Sequence, residues 1–384
     1  MALSFAIAGG GTGGHVTPAL ALGEAIRADD PGHRVLFIGS DRGLEARLVP
    51  EAGFDLEALG SRQVMGRGVL GSLLGALSIA AASLRAWAVL GRFRPDLVIS
   101  VGGYAAMPAG LAAIARRVPL VLVEPNAVPG RVNRLLARFA RRVFVGFEAA
   151  GRALDPHWQP DGQTDGQTDG QTDAAGGRTR CVGIPLRTRL REAFAGEPAR
   201  RTPEPPIRLL VFGGSQGARQ INEAVMEALP RLASLDLAVV HQTGEVDRER
   251  VADAYAKAGV EACVVAFEPD MPRRYAWADV ALCRSGALTV AELALAGLPA
   301  LLVPYPYAAD DHQAANAAEL ERAGAARRLD ARALDGAAVG EALGELARHP
   351  DRLQAMARAA AGLGRPDAAR DIVVDCVELL GGRS

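Results

Sequence analysis

The stretch Phe5–Ile26 reads FAIAGGGTGGHVTPALALGEAI, and Leu209–Leu229 reads LLVFGGSQGARQINEAVMEAL. Each combines a short apolar run, a glycine-rich turn and a helical pattern, which is the order strand, turn, helix. Glycine lets the backbone turn sharply and approach a ligand closely, and the N–H groups at the start of the following helix attract anions. The two stretches therefore predict two α/β domains, each with a turn that suits a diphosphate. We name these turns the first glycine turn (Gly9–Gly14) and the second glycine turn (Gly213–Ala218).

The glycine turns are also compatible with a purely structural role, since most such turns in α/β proteins only form a tight corner. Neither is followed by the Lys-Ser/Thr pair of a Walker loop. The first lacks the GxGxxG spacing, and Ile38–Asp41 offers only an ambiguous acid for a ribose. Assignment of a nucleotide site therefore needs further motifs.

Short β-rich runs alternate with longer helical runs along the chain, which is typical of parallel sheets covered by helices. The Pro-rich segment Gly196–Pro206 separates two such series. Asp161–Asp173 reads DGQTDGQTDGQTD and predicts a disordered surface loop, because it has no apolar residue to bury. The predicted strands are Ser4–Ala8, Arg34–Ile38, Asp96–Val101, Leu120–Val123, Arg142–Val145, Ile207–Phe212, Leu237–His241, Ala262–Ala266, Asp279–Cys283 and Ala300–Val303.

The composition fits a well-packed globular protein of two domains. The 384 residues are 49% hydrophobic and 23% charged, and the net charge of −1 does not favour nucleic acid. The four cysteines form no CxxC pair, which speaks against a zinc site or a disulfide framework. No basic n-region precedes the first apolar run, so we expect a cytoplasmic protein. The uncharged stretches 68–84 and 97–115 are interrupted by Gly, Ser or Pro, and we expect neither to span a membrane.

Two later motifs place polar residues after strands. Cys283–Gly297 reads CRSGALTVAELALAG, in which Ser285 is predicted to cap the following helix through its hydroxyl. Glu292 falls two turns into that helix, where the pattern favours a ligand contact and a solvent-facing glutamate equally. Pro304–Ala317 reads PYPYAADDHQAANA and concentrates polar side chains on a loop that enters a helix. Both segments are typical of binding-site walls and also of ordinary helix starts.

Seven motifs together resemble the MurG family, a part of glycosyltransferase family 28, and they follow in order through nearly the whole chain. The resemblance implies the GT-B fold, an α/β architecture of two Rossmann-like domains whose parallel sheets face each other across a cleft. It implies inverting transfer of N-acetylglucosamine from UDP-N-acetylglucosamine to the N-acetylmuramyl-pentapeptide of undecaprenyl-linked lipid I, which forms lipid II in peptidoglycan synthesis. The motifs are GGGTGGH (Gly9–His15), GGY (Gly102–Tyr104), EPN (Glu124–Asn126), GIPLR (Gly183–Arg187), GGSQGA (Gly213–Ala218), RSGALTVAE (Arg284–Glu292) and PYPYAADDHQ (Pro304–Gln313).

The resemblance also implies a domain organisation. Residues 1–187 would form an N-terminal, membrane-associated acceptor domain, and residues 188–365 a C-terminal domain that binds UDP-N-acetylglucosamine. A helix at 366–384 would pack back on the first domain. One departure concerns the middle of Glu-x-Asn, where family members often carry Gln and this chain has Pro125.

Roles of individual residues are carried over on the same resemblance. Ser215 would meet the diphosphate, Glu292 the ribose hydroxyls and Gln313 the N-acetylglucosamine. The backbone around Glu268 would hold uracil. The other donor positions that the resemblance implies are Thr12, Gly13 and Gly14 in the first glycine turn, Asn126 and Arg187, and Ala287, Leu288 and Thr289 at a helix start near the phosphates and the sugar.

An inverting transfer deprotonates the acceptor hydroxyl while the leaving UDP gains negative charge. Helix N-termini can stabilise that charge, so no metal and no other cofactor is expected. His15 is the first candidate for the base, because histidine ordinarily titrates at about pH 6.5. A role in capping the turn and orienting phosphate is an equal alternative, and Glu124 is the second candidate for the base.

The lipid acceptor implies a surface that meets an anionic membrane, and the expected location is the cytoplasmic face of the inner membrane. Ala58–Pro95 has no acidic residue, and RVNRLLARFARR (Arg131–Arg142) places arginines on one helix face. A solvated basic face would give the same pattern. Other proteins of cell-wall synthesis are further expected partners. The arginines of the first segment are Arg62, Arg67, Arg85, Arg92 and Arg94.

Three rival functions are compatible with parts of the sequence. A nicotinamide-dependent oxidoreductase would also have Rossmann-like halves, but it needs the GxGxxG turn and ribose acid that the N-terminal half lacks. A non-catalytic nucleotide-sugar or lipid-binding module would not need two glycine turns and a third polar site. Another GT-B enzyme that transfers a nucleotide sugar to a lipid acceptor is the closest alternative.

Overall fold

The structure is a computed structural model in which the chain divides into two compact units. The first unit comprises Met1–Thr188 and Pro366–Ser384, and the second comprises Arg189–Arg365. The repeat Asp161–Asp173 and Ser215 lie outside the described residues, as do Arg62 and Arg67. The described residues are 2–59, 69–159, 177–196, 202–214 and 217–381.

A parallel sheet of seven strands forms the centre of the first unit, in the order β3-β2-β1-β4-β5-β6-β7. Its central strands are continuous apolar runs because helices cover both faces of the sheet. The chain order reverses between β1 and β4, and ligands of open α/β sheets bind beyond the carboxyl ends of strands at such a point. The strands are β1 (Ser4–Gly9), β2 (Arg34–Gly39), β3 (Asp55–Ala58), β4 (Leu97–Gly102), β5 (Leu120–Glu124), β6 (Arg142–Val145) and β7 (Thr179–Cys181).

Two helical layers cover this sheet. One face carries Phe5, Ile7 and Phe37, which pack with residues of α1 and of the C-terminal helix α15. The other face packs against α3, α4 and α5. The helices are α1 (Gly13–Asp29), α2 (Glu45–Glu51), α3 (Val69–Phe93), α4 (Ala106–Arg116), α5 (Arg131–Leu136), α6 (Glu148–Leu154), α7 (Thr188–Ala193), which crosses into the second unit, and α15 (Ala368–Gly381).

The second unit repeats this plan with a six-stranded parallel sheet in the order β10-β9-β8-β11-β12-β13. Strand β8 lies between β9 and β11, as β1 lies between β2 and β4, so the second glycine turn occupies the equivalent position. The strands are β8 (Ile207–Phe212), β9 (Leu237–Gln242), β10 (Ala262–Val265), β11 (Val280–Cys283), β12 (Ala300–Leu302) and β13 (Ala326–Arg328). The helices are α8 (Arg219–Leu232), α9 (Arg248–Ala258), α10 (Met271–Trp277), α11 (Ala287–Leu295), α12 (His312–Arg322), α13 (Gly336–Arg348) and α14 (Pro350–Gly362).

The predicted fold class is confirmed. Each predicted strand is present, with its bounds shifted by at most one residue, and β3, β7 and β13 are additional. The stretch 97–115 is strand β4, a turn and most of helix α4, as expected. Among the described residues, none of the helices combines the length and apolar character that crossing a membrane requires.

Candidate active site

The first glycine turn joins β1 to α1 and carries His15 at the start of the helix. Gly11 has a φ of +93°, a conformation that glycine adopts without strain. The carbonyl of Thr12 accepts hydrogen bonds from the backbone N–H groups of His15 and Val16, both at 3.1 Å. The hydroxyl of Thr12 lies 3.1 Å from Nδ1 of His15. The imidazole is therefore held at the carboxyl edge of the sheet.

A second pair of glycines forms the other side of this position. Gly102 and Gly103, at the end of β4, have φ values of +91° and +80°. A Cβ atom at Gly103 would lie 2.6 Å from the carbonyl oxygen of Gly10 and 3.5 Å from Nδ1 of His15. The GGY motif thus needs glycine there because the two turns pack directly on each other. Tyr104 follows with its side chain largely exposed.

Glu124 is buried at the end of β5 and is surrounded by donors. Its Oε1 accepts from the backbone N–H of Asn126 at 2.9 Å and from Nδ2 of Asn126 at 3.3 Å. Its Oε2 accepts from the backbone N–H of Gly130 at 2.8 Å and from Nδ2 of Asn133 at 2.9 Å. Burial raises the pKa of Glu124, although these hydrogen bonds oppose the shift. The geometry suits a carboxylate that orders the loop between β5 and α5.

Arg187, at the end of the first unit, pairs with a residue of α1. Its Nε lies 2.5 Å from Oε1 of Glu24, and the backbone N–H of Thr188 donates to Oε2 of Glu24 at 2.9 Å. About a third of the Arg187 side chain is exposed. Its guanidinium is thus oriented by Glu24.

In the second unit, the second glycine turn leads into α8. Gly217 has a φ of +75°, and a side chain there would overlap the carbonyl of Thr243. The turn must therefore carry glycine to pack against the end of β9. Helix α8 begins at Arg219, directly after Ala218, and its N-terminus favours an anion.

The start of α11 is tied to the start of α12 by Ser285. Its hydroxyl donates to the carbonyl of Gln313 at 2.8 Å, and Nδ2 of Asn316 donates to the carbonyl of Ser285 at 3.2 Å. The prediction that Ser285 caps α11 was wrong, because Gly286 is the N-cap residue and no side chain caps the helix. The first turn of α11 comprises the expected donor residues Ala287, Leu288 and Thr289, and its backbone N–H groups are not occupied by a side-chain cap.

A cavity of about 800 Å³ lies within the second unit at the ends of α8, α11 and the loop after β12. Gln313 forms part of its wall, and its Oε1 accepts from the backbone N–H of Tyr305 at 2.9 Å. Of the expected donor residues of the second unit that the structure describes, Thr289 and Gln313 line this cavity, whereas Ala287, Leu288, Glu268 and Glu292 do not. The lining residues are Gly213, Gly217, Ala218, Arg219, Gln220, Glu223, Arg284, Gly286, Thr289, Tyr305, Tyr307 and Gln313.

Arg284 supplies positive charge to the wall of this cavity. It donates to the carbonyls of Val303 and Pro304 and to Oε1 of Gln220, each at 3.2 Å. Burial lowers its pKa, with Tyr305 acting in the opposite direction. Arg284 belongs to the motif RSGALTVAE, but we gave it no role from the sequence alone. Its position between the end of a strand and the start of a helix was the signal that could have identified it.

Glu292 and Glu268 are held by different partners. Oε2 of Glu292 accepts a hydrogen bond of 2.7 Å from the hydroxyl of Tyr275. Oε2 of Glu268 lies 2.5 Å from Nε of Arg274, and its Oε1 accepts from the backbone N–H of Asp270. Burial would raise the pKa of Glu268, but these bonds outweigh it and the pKa is lowered. The side chain of Glu268 is therefore engaged with the start of α10, through Asp270 and Arg274.

Comparison with known proteins assigns the chain to a family. Family models for the N-terminal and the C-terminal domain of glycosyltransferase family 28 match residues 5–145 and 208–372. A UDP-N-acetylglucosamine–N-acetylmuramyl-(pentapeptide) pyrophosphoryl-undecaprenol N-acetylglucosamine transferase of Halorhodospira halophila is 44% identical, over 98% of both chains. The chain belongs to this transferase family. A family member of the same name from Anaeromyxobacter sp. (strain Fw109-5) is also 44% identical, over 97% of this chain and 93% of its own length.

Solved structures support the family fold. The crystal structure of Acinetobacter baumannii MurG is similar with a TM-score of 0.77 and 28% identity, over 98% of this chain and 99% of that one. The UDP complex of Staphylococcus aureus MnaA has a TM-score of 0.63 at 15% identity, over 99% and 97%, and shows the shared fold alone. The predicted MurG resemblance and GT-B fold are therefore confirmed.

Proposed function

We propose that this family member transfers N-acetylglucosamine from UDP-N-acetylglucosamine to the N-acetylmuramyl-pentapeptide of undecaprenyl-linked lipid I, which forms lipid II. The observation that supports this most is the cavity of the second unit, in which two helix starts, an arginine and an amide side chain converge. That combination suits a nucleotide sugar, because it offers sites for a diphosphate and for a sugar amide.

The diphosphate would lie between the starts of α8 and α11. Both helices begin at the cavity, and partial positive charge at each N-terminus stabilises the charge that develops on the leaving UDP. The guanidinium of Arg284 adds a full positive charge nearby. Ser215 belongs to the same turn by sequence, and its contact with the diphosphate is part of the proposal.

The sugar and the nucleoside would use the remaining residues. Gln313 is oriented through its Oε1 by Tyr305, which leaves its amide group to donate toward the N-acetylglucosamine. Glu292 would accept hydrogen bonds from the ribose hydroxyls, and the backbone around Glu268 would hold uracil. We assign donor roles to Asn126 and Arg187 on the family resemblance alone.

The base would come from the first unit, where the contacts of His15 and Glu124 differ in kind. Each oxygen of Glu124 accepts two hydrogen bonds, from the loop after β5 and from Asn133 of α5, so both oxygens are engaged in holding that loop. His15 lies where the first glycine turn packs against Gly102 and Gly103, and the Thr12 hydroxyl orients its ring. His15 is therefore the better candidate to accept the proton of the acceptor hydroxyl.

Membrane attachment would use the helical layer that contains α3, α4 and the segment directly after α5. Leu84, Trp87 and Phe139 are 71%, 48% and 48% exposed, and Arg116 stacks over the Trp87 ring at 3.8 Å. Exposed apolar side chains beside arginines suit peripheral binding to anionic lipid. The proposed location is the cytoplasmic face of the inner membrane.

A panel of donors and acceptors tests the function. Purified protein would be incubated with a short-chain lipid I analogue and UDP-N-acetylglucosamine, UDP-glucose or UDP-N-acetylgalactosamine, with product formation followed by mass spectrometry. Transfer from UDP-N-acetylglucosamine alone supports the proposal. Transfer from UDP-glucose to a different lipid, with no product on the lipid I analogue, would favour another GT-B activity.

A further inference from the structure

A buried carboxylate, Glu45, joins the ends of β1 and β2 beneath the first glycine turn. Only 1% of this residue is exposed. Its Oε2 accepts from the backbone N–H of Gly11 at 2.9 Å. Its Oε1 accepts from the backbone N–H of Ser40 at 2.9 Å and from the Ser40 hydroxyl at 2.6 Å. One side chain therefore connects two loops that are 29 residues apart in the sequence.

Neighbouring glycines make room for this carboxylate. A Cβ atom at Gly10 or Gly43 would overlap the carboxylate of Glu45, and one at Gly39 would lie 2.7 Å from its Cγ. The carboxylate has little space to withdraw, because it is enclosed on all these sides. Gly10, Gly39 and Gly43 are thus required to leave space for Glu45, and this requirement does not depend on a ligand.

The carboxylate is stable as an anion in this position. Burial alone would raise the pKa of Glu45, but the hydrogen bonds from the Ser40 hydroxyl and from the N–H groups of Gly11 and Ser40 outweigh it, and the pKa is lowered. Removing a buried hydrogen-bonded charge or one of its partners is costly. The tie between the loops is therefore strong, and the N–H of Gly11 is already used within the protein.

The hydrogen bond from Gly11 to Glu45 influences the position of His15 through two residues, Gly11 and Thr12. Gly11 precedes Thr12, whose carbonyl accepts from the N–H of His15 and whose hydroxyl lies 3.1 Å from the imidazole. A shift of Gly11 would move Thr12, and with it both contacts of His15. Displacing a catalytic group by about 1 Å can reduce turnover by roughly 10²-fold.

We propose that Glu45 is a positioning residue of the transfer reaction, which holds the first glycine turn so that His15 meets the acceptor. This inference rests on the proposed function. Glu45 would act through Gly11 and Thr12 and would not touch either substrate. Binding of UDP itself would be independent of Glu45, because the cavity that we assign to UDP is lined by residues of the second unit.

The test compares Glu45→Gln with Glu51→Gln, an exposed glutamate at the end of the same helix α2. Glutamine keeps the size of the side chain but places an NH₂ group against a backbone donor, so the Gly11 turn is released. We expect kcat to fall about 10- to 100-fold, with the Kd for UDP unchanged and with faster hydrogen exchange in residues 9–16. Glu51→Gln should match the wild type in every measurement.

Three kinds of result would contradict the positioning role of Glu45, and a fourth would contradict the proposed function. Wild-type kcat in Glu45→Gln would overturn the positioning role, whether or not the turn exchanges faster. A parallel loss of kcat, UDP binding and melting temperature would also overturn it, since a general loss of fold explains all three. If Glu45→Gln does not fold, Ser40→Ala is the second variant, because it removes one donor to Oε1 of Glu45. Ser40→Ala should lower kcat with UDP binding intact. An unchanged kcat would contradict the proposal. Failure of wild type and Glu51→Gln to transfer at all would instead show that the proposed function is wrong.

Discussion

The hydroxyl of Tyr275 donates a 2.7 Å hydrogen bond to Oε2 of Glu292, which links helix α10 to helix α11. Tyr275 is buried, and burial raises the pKa of Glu292 to about 7, although the Tyr275 hydrogen bond acts to lower it. The carboxyl group that we assign to the ribose therefore exchanges its proton close to neutral pH. Tyr275 holds it in place, and nothing in the sequence pattern pointed to this partner.

Glu292→Ala should weaken UDP binding about tenfold or more, because charge-assisted hydrogen bonds to hydroxyls contribute roughly 1.5–3 kcal/mol. The measurement is a fluorescence or calorimetric titration with UDP at pH 8, where the wild-type carboxylate is mostly ionised. Glu249→Ala, an exposed glutamate on α9 of the same unit, is the matched control. Equal UDP affinity in both variants would remove Glu292 from the ribose site.

UDP affinity of the wild type should rise with pH through about 7, because the ionised form of Glu292 is the better acceptor. Tyr275→Phe removes the hydrogen bond that lowers this pKa, so the midpoint should move to higher pH. Glu292→Gln gives the background from the titration of UDP itself. A midpoint that is the same in Tyr275→Phe and wild type would contradict the link between these residues.

Most strands of both sheets were predictable from their apolar sequences, and the three strands that were missed lack this pattern. Central strands such as β4 are apolar along their length because both faces are covered. By contrast, β3, β7 and β13 have only three or four residues and mix charged with apolar side chains. Two of them end the seven-stranded sheet and the third ends the six-stranded one, so they need less apolar surface.

The sequence motifs of the candidate site could be predicted, but the hydrogen bonds between distant residues of the site could not. The glycine turns and RSGALTVAE are local patterns, and the sequence shows them directly. The role of Glu45 depends on contacts with Gly11 and Ser40 across two strands, so no local spacing indicates it. Ser285 bonds Gln313, 28 residues away, instead of its own helix, because the start of α12 offers it a carbonyl.

A buried histidine in the second unit should make the protein sensitive to acid. His241 is fully buried between Tyr255 and Asn222, and burial lowers its pKa to about 3 from an ordinary value of 6.5. The unfolded chain binds a proton between these values and the folded chain does not. Stability from this site is therefore complete above about pH 6.5 and is lost as the pH falls toward 3.

His241→Gln should remove this pH dependence, and the measurement is the free energy of unfolding by urea at pH values from 7 to about 4, where each proton contributes at most about 1.4 kcal/mol per pH unit. The variant will be less stable at pH 7 but should lose less on acidification than the wild type. His349→Gln, outside this cluster, serves as the control. Parallel curves for all three proteins would show that His241 does not titrate on unfolding.

Replacing Arg85, Arg92 and Arg94 together by Ser should reduce binding to anionic vesicles, at about 1 kcal/mol per basic residue near the surface. Arg92 pairs with Glu57 at 3.1 Å, so its share should be smaller than that of Arg94. Leu84→Ser combined with Phe139→Ser tests the apolar part of the same face. Val246→Ser, a 97% exposed apolar residue in the second unit, is the control. Vesicle binding that survives both sets would contradict a role for these residues of α3, for Arg94 and for Phe139, and the arginines of Arg131–Arg142 would be the next to replace.

His15 is the residue whose test says most about the mechanism. If it is the general base, His15→Ala should lower turnover by about 10²–10⁴-fold while UDP binding stays near the wild-type value. The acidic limb of the pH–rate profile should disappear as well, because the group that must lose its proton has been removed.

An orienting role for His15 predicts a different pattern. Donor affinity should then fall together with turnover, and the acidic limb should persist. Thr12→Val separates the two roles further, since it removes the hydroxyl 3.1 Å from Nδ1 but keeps the imidazole. For a base, Thr12→Val should lower kcat less than His15→Ala does and retain the acidic limb. If His15→Ala keeps the acidic limb of the wild-type pH–rate profile, the base is Glu124 or a water molecule. Glu124→Gln, which keeps the size of a buried side chain, would then be the next variant to measure.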